Sequence, residues 1–386
     1  MEEWLHNQPF YGTAQSLIKS GFGLDFISDR FIEKAHFGNG EIHLPGGSYK
    51  SLVVPTTEYM PLNTLKKLVD LKRQGAHIIF QNLPENVPGF NNYEAGNSEM
   101  RQLLSENKSL ISPSGNIFSD LEMAKVLPEK LVESGLKFIR RDLEGDKIYY
   151  LVNHTSNAID QYIPINGIYK EVLIFDPNTS NYGKAIIEVK DVGTMVKVQL
   201  KPGETLFLKT GENSEYKDWE YFEAGEITYG LSAPWKISFL RGGPVLPEND
   251  TITSLGKDAE EFSGTAKYEL EFQNPDNTVQ AWLLKLGEVR ESAKIWVNGS
   301  YLGTLWANPF EINIGALHKG TNKITLEVTN LSANRIRAME LRGEEWKNFY
   351  EINMVDKDYK KFDATQWKPM PSGILGPVTL VPLKKN

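Results

Sequence analysis

The chain has 386 residues, 40% of them hydrophobic and 24% charged, with a net charge of −8 at neutral pH. Its length exceeds one comfortable hydrophobic core and predicts two or three domains. Lys and Arg are interspersed among a surplus of Asp and Glu, which argues against a nucleic-acid or anionic-membrane partner, and the lack of cysteine excludes disulfides, thiolate zinc sites and thiol nucleophiles together.

No apolar run approaches the roughly 20 residues that span a bilayer. The opening Met1-Glu2-Glu3-Trp4-Leu5 lacks the basic-then-apolar order of a signal peptide, so none is expected. The first hundred-odd residues read as α/β. Ala14 to Lys19 is helical and is stopped by Gly21. Ser51-Leu52-Val53-Val54 is a strand closed by Pro55. Pro61 then opens a helix whose Leu62, Leu65, Leu68 and Val69 share one face, with Gly75 as its stop. His77-Ile78-Ile79-Phe80 is the next strand, which completes a βαβ unit and places His77 at a cap or in the core. Ser98 to Glu106 is a further helix. Gly115 to Gly135 carries one amphipathic segment, Leu121 to Val132, and marks the first domain boundary.

From there, strands recur at the spacing of a small sandwich: Lys147 to Val152, Tyr162 to Ile165, Val172 to Phe175, Ala185 to Val189, Val196 to Leu200 and Thr205 to Leu208. The polar run Gly211 to Lys217 is the second boundary. Beyond it come Trp235 to Phe239, Ala266 to Phe272 and Val279 to Leu286, with Trp235 and Trp282 in the core. A hairpin follows, in which Ala293, Ile295 and Val297 form the buried face and Asn298-Gly299 the turn. Trp296 is out of phase with that face and reads as cover for a neighbouring domain. Pro309 to Ile314, Lys323 to Val328 and Val378 to Val381 complete the pattern. The segment 331–375 interrupts it and is rich in Trp, Tyr and charge; insertions of this length in a sandwich are more often functional than ornamental.

The Val-Asn-Gly-x-x-x-Gly hairpin (Val297 to Gly303), the Pro309-Phe310 strand and the Gly320-Thr321-Asn322 turn resemble the jelly-roll, galactose-binding-like domains attached to large glycoside hydrolases. Other segments, in order, resemble glycoside hydrolase family 106, the α-L-rhamnosidases. They are Phe26-Ile27-Ser28-Asp29-Arg30, Tyr59-Met60-Pro61-Leu62-Asn63, Leu83-Pro84-Glu85-Asn86, Phe262-Ser263-Gly264, Val328-Thr329-Asn330-Leu331 and Pro371-Ser372-Gly373 to Val378. The resemblance implies the region that follows that family's catalytic (β/α)8 barrel, where its acid and base glutamates reside, so no catalytic residue is carried over.

The expected fold is multidomain α/β plus all-β: a flavodoxin-like domain over 1–115, a small β-sandwich over 116–212 and a jelly roll over 213–386. The leading functional expectation is an accessory region that supports a catalytic barrel in cis or in trans and binds a rhamnose-containing glycan. The resemblance places the full-length protein in the periplasm or outside the cell. Carbohydrate contacts fall to Trp306, Asn334, Arg335, Trp346, Tyr350 and Trp367, because rings stack on sugar C–H faces and planar polar groups reach hydroxyls. Tyr359 and Arg337 belong to the same set, and Arg335 has a second reading as an ion-pair partner of Glu340.

Two alternatives stay open: a stand-alone lectin-like module, and an independent glycosidase using carboxylates of the insertion (Glu340, Glu344, Glu345, Glu351, Asp356, Asp358, Asp363). Glu340 and Glu344, four apart, would share a helix face, which a solvated charged surface explains. The scattered histidines offer no zinc pair, and no Gly-x-Ser-x-Gly elbow occurs. Asp176-Pro177-Asn178-Thr179-Ser180 lacks the Gly and closing Glu of a calcium loop and reads as a turn. No cofactor is required; a jelly roll is compatible with a structural calcium held by backbone carbonyls.

Overall fold

The protein is represented by a computed structural model describing residues 2–143, 145–191, 193–211, 215–232, 234–240, 260–348, 358 and 360–386. It is a β-rich, multidomain fold with few helices. Two compact units emerge: Met1–Arg140 with Ile163–Ile168 and Glu188–Val196, and Arg141–Tyr162 with Tyr169–Ile187 and Lys197–Asn386. Among the described residues no helix is long and apolar enough to cross a membrane.

In the first unit, strands Ser51–Val54 and His77–Phe80 pair in parallel, Ser51 opposite His77. The helix Leu62–Arg73 connects them, burying Leu65, Leu68, Val69 and Leu71, and Gly75 ends it at a φ of 106°. Pro61 lies one residue before the first helical position, as the cap. Complete burial of such a leucine stabilises by about 1.5–3 kcal/mol. The parallel sheet has two strands, and Phe80 adds one bridge to Pro113. His77 is exposed, contrary to the expected cap or core position. It stands at the mouth of its strand, and the three residues after it supply the buried contacts.

A three-stranded antiparallel meander (His36–Gly38, Glu41–Leu44, Gly47–Tyr49) and the helices Pro9–Lys19, Tyr93–Glu106 and Ile117–Met123 complete the unit. The amphipathic stretch Leu121 to Val132 does not stay one element. The helix ends at Met123, Lys125 takes a φ of 56°, and a 3-10 turn follows at Lys130–Ser134.

A five-stranded antiparallel sheet has the order Tyr182–Lys184, Glu171–Phe175, Thr205–Gly211, Asp146–Asn153, Leu136–Leu143. Its buried face carries Tyr149, Leu151, Val172, Ile174, Leu206 and Leu208. A small sheet orders Ile187–Lys190, Gly193–Leu200 and Ile159–Ile165. Asp176 forms the turn read from the sequence: its carboxylate accepts from the Asn178 amide and the Thr179 hydroxyl at 2.8 and 2.7 Å.

Beyond residue 220 two further five-stranded sheets form. One runs Lys236–Phe239, Thr265–Gln273, Thr321–Thr329, Ser292–Val297, Ser300–Leu305. The other is built on Thr379–Lys385, flanked by Ala281–Lys285, Phe222–Ala224 and Tyr229–Gly230, with Glu311–Asn313 beyond. Alternating residues such as Tyr268, Ile295 and Leu326 meet Trp282, Leu284 and Leu380 in one core, and Trp235 joins it. The hairpin turn is as its sequence dictates, with Asn298 and Gly299 at φ 50° and 82°. Trp296 is half-buried and packs its ring 5.2 Å from that of Tyr301.

Candidate functional site

The insertion begins with the helix Ala333–Arg342, closed by Gly343 at φ 66°. The Gly343 and Glu344 amides donate back to the Glu340 and Met339 carbonyls, satisfying two of the orphan acceptors at the helix end. Glu344 therefore lies past the helix, and the face shared by Glu340 and Glu344 that the four-residue spacing suggested does not form. Glu344 instead accepts from Arg342 Nε at 2.5 Å, and Arg342 also pairs with Glu261.

Glu340 anchors the next turn of chain. Its Oε1 accepts the Trp346 indole N–H at 2.8 Å and lies 2.7 Å from Lys347 Nζ. The second reading of Arg335 is thus corrected, since Lys347 occupies Glu340. Lys347 Nζ stands 5.5 Å from the ring centres of both Trp346 and Phe362. The rings continue edge-on, Trp346 to Phe362 at 5.7 Å and Phe362 to Trp367 at 5.5 Å. Arg337 Nε donates to the Trp367 carbonyl at 2.7 Å. Phe362, the middle ring, was not among the sequence candidates; its one signal was its place in an aromatic-rich insertion.

Asn334 is buried, and its amide spans the Met370 backbone, donating to the carbonyl and accepting from the N–H at 2.8 Å each. Arg335 is exposed, and its charge acts on Glu344. Trp367 is 40% exposed and Trp346 half-buried. Trp306 stands on a separate loop, between the Ser300–Leu305 and Glu311–Asn313 strands, and is 68% exposed. Tyr350 and Tyr359 lie outside the described residues, as do Glu351 and Asp356. The structure thus gathers Asn334, Trp346 and Trp367 around one helix and leaves Trp306 apart. Replacing Asn334 with alanine strands the Met370 N–H and should cost about 1–3 kcal/mol. Urea unfolding checks this, and a change within error of zero would refute the clamp.

Asn330 knits three motif segments together. Its side chain donates to the Phe262 carbonyl and the Ser372 hydroxyl at 2.8 Å each, and accepts from the Gly264 amide at 2.9 Å. Segments far apart in sequence are therefore joined in one hydrogen-bonded knot.

Three carboxylates of the insertion are held in their charged form. Lys347 holds Glu340 below the usual range, Arg342 does so for Glu344, and the hydroxyl and amide of Thr365 for Asp363. A glycosidase acid needs the opposite, a carboxyl kept protonated by an apolar or anionic setting. Among the described residues no group of three His, Asp or Glu side chains is placed to hold a metal ion.

A second charged cluster backs the Trp306 loop. Burial pushes Glu311 upward, but the ammonium groups of Lys201 and Lys285 outweigh it and leave its carboxyl below the ordinary value. Lys201 pairs with it directly and Lys285 at 3.1 Å. Burial raises Glu204, against a hydrogen bond from the Lys201 amide, and the charges of Asp176 and Glu311 add to the rise. The two shifts give opposite pH dependence. The Glu311 contribution is complete above its unfolded value and is lost as pH falls through its depressed folded value. The Glu204 contribution is complete below its unfolded value and is lost as pH rises through its raised one. Lys201→Met should therefore make the protein less acid-labile in relative terms: its stability loss is read near pH 6 and shrinks below pH 4, in thermal melts across pH. A loss that stays constant with pH would sink this account.

The family model of glycoside hydrolase family 106, α-L-rhamnosidase, matches residues 5–185. A rhamnosidase structure from Novosphingobium sp. PP1Y superposes with a TM-score of 0.69 at 23% identity, covering 92% of this chain and 36% of that one. That likeness is one of fold. A putative β-glucuronidase of Formosa agariphila is 30% identical in a 139-residue match that covers 31% of this chain and 12% of that protein. The chain spans well under two thirds of either relative.

Proposed function

We propose, from the resemblance of this chain to the family 106 α-L-rhamnosidases, that it is an accessory region of a rhamnosidase-like glycoside hydrolase. In this reading it supports a catalytic barrel and binds carbohydrate, and does not itself cleave the glycosidic bond. Its parts are a flavodoxin-like domain (1–115), a small β-sandwich (116–212) and a galactose-binding-like jelly roll (213–386). The observation that carries the non-catalytic half is the state of three of the insertion's carboxylates. Glu340, Glu344 and Asp363 are each engaged and each held as the anion, which suits anchoring of loops and not proton donation. The binding half rests on the ring series Trp346, Phe362 and Trp367 beside Arg337.

The test is hydrolysis of an aryl α-L-rhamnoside by the purified 386-residue chain, alongside a panel of other aryl glycosides. No turnover is expected. Turnover that disappears in Glu344→Gln or Glu345→Gln would overturn the accessory reading and make the insertion an active site. For binding, Trp367→Ala is expected to weaken retention on an α-L-rhamnosyl affinity resin, and unchanged retention would remove Trp367 from the site.

A further inference from the structure

The five-stranded sheet that contains Asp146–Asn153 carries an aromatic row on the face opposite its core. Tyr182 is directly opposite Phe175, Phe175 opposite Phe207, and Phe207 opposite Tyr150. Four adjacent strands thus place an aromatic residue at the same register position. The ring centres lie 5.9 Å apart for Phe175 and Tyr182 and 5.1 Å apart for Tyr150 and Phe207. Tyr216 extends the row, edge-on to Tyr182 at 5.3 Å. Three strand spacings make the row about 14 Å long. Tyr182 and Tyr216 are 55% and 43% exposed, and the inner three are half-buried.

Core packing does not require these rings. The side chains Tyr149, Leu151, Val172, Ile174, Leu206 and Leu208 are buried at the alternate positions and point the other way, while Leu173 is buried on the same face as the rings. The outer face of an antiparallel sheet is ordinarily polar. Cross-strand aromatic pairing stabilises a sheet pair by pair, but it does not call for the same register on four strands.

Two lysines border the row. Lys184 and Lys209 lie two residues beyond Tyr182 and Phe207 on the same face, and flank Leu173 from opposite sides. Each forms a loose ion pair, Lys184 with Asp218 at 3.8 Å and Lys209 with Asp146 at 3.6 Å. Both separations exceed the hydrogen-bonding range of about 2.7–3.2 Å, so both ammonium groups have donors to spare.

We propose that this row is a binding strip for an acidic oligosaccharide, the pyranose C–H faces lying on the rings and a sugar carboxylate meeting Lys184 or Lys209. The strip is one ring wide and several rings long, which fits a linear chain of sugar rings. A stable protein partner would need about 800 Å² of surface on each side. The proposal rests on the carbohydrate reading above but names a different surface from the insertion.

Isothermal titration with short β-linked oligoglucuronates, and with glucose oligosaccharides of the same linkage, tests it. The oligoglucuronates are expected to bind more tightly, with an affinity that falls as salt rises. Tyr182→Ala and Tyr216→Ala should each weaken binding about tenfold, since tenfold is ~1.4 kcal/mol and lies within the reach of one ring contact. Tyr182→Phe should retain it. Lys184→Gln with Lys209→Gln should abolish the preference for the acidic sugar and leave thermal stability near that of the parent chain. Binding that ignores these ring changes but is lost in Trp346→Ala or Trp367→Ala would overturn this proposal while sustaining the insertion as the sugar site. Absence of binding to both probes would also overturn it, and the rhamnoside assay would then judge the accessory reading independently.

Discussion

Replacing Glu129 with alanine is expected to destabilise the first unit by about 3–5 kcal/mol, the range for removing one partner of a buried ion pair. The Glu129 carboxylate is fully buried. Oε1 lies 2.5 Å from Arg140 Nη1, and Oε2 accepts the Asn166 amide at 3.0 Å. The backbone is held as tightly, with the Glu129 amide donating to the Gly21 carbonyl at 2.8 Å and Asn166 Nδ2 to the Pro128 carbonyl at 3.0 Å. Truncation would take a buried carboxylate away from the Arg140 guanidinium and the Asn166 amide. Glu129→Gln keeps the volume and an acceptor for Asn166, so its cost should fall to about 1–3 kcal/mol. Gly21→Ala attacks the same contact from the other side: at φ 89° its Cβ would come within 2.4 Å of the Glu129 carbonyl oxygen. Urea unfolding of all three variants checks this, and a Glu129→Ala loss below ~1 kcal/mol would reduce the pair to a surface-type contact.

The second large effect belongs to Trp282. It is completely buried, with Tyr229 edge-on at 5.5 Å, and its backbone bonds to Gly315 and Ile314. Trp282→Ala should cost about 3–5 kcal/mol, transfer and cavity terms together. Its indole N–H is buried without a hydrogen-bond partner. Trp282→Phe therefore removes an unsatisfied donor along with the ring, and the recovered desolvation of about 1–3 kcal/mol should offset much of the lost packing. The order wild type, then Phe, then Ala, with Phe much nearer wild type, is the expected result in chemical denaturation. A Phe variant as unstable as the Ala variant would mean that the indole nitrogen is satisfied in solution.

The legible elements were those with strong local signals. Ser51–Val54 and His77–Phe80 are strands at the residues expected, because apolar runs closed by Pro or preceded by Gly have few local alternatives. The hairpin at Asn298-Gly299 was readable for the same kind of reason. Leu136–Leu143 and Tyr182–Lys184 were not read as strands, and both lie at the edges of their sheet. Edge strands are commonly short or charged, which weakens the alternation that identifies a strand. Tyr182–Lys184 is three residues long, and Leu136–Leu143 holds Lys137, Arg140, Arg141 and Asp142. In the insertion, the aromatic character of the segment was plain, but the partner of each side chain was not. Asn334 closes on Met370 and Glu340 on Lys347 and Trp346, pairings fixed by where the helix stops.

By itself the sequence determined the local alternation of strands, the tight turn at Asn298-Gly299, the tryptophans of the core and the resemblance to the α-L-rhamnosidases. Each of these is encoded in neighbouring residues or in the order of short motifs. Register decided the rest. Tyr150, Phe175, Tyr182 and Phe207 are far apart in the sequence and become one row because antiparallel pairing places them opposite one another. Glu129 is an ordinary polar residue between Pro128 and Lys130 until the fold brings Arg140 and Asn166 to its carboxylate and closes water out. Burial and cross-strand alignment arise from contacts distant in the chain, and a local pattern cannot carry them.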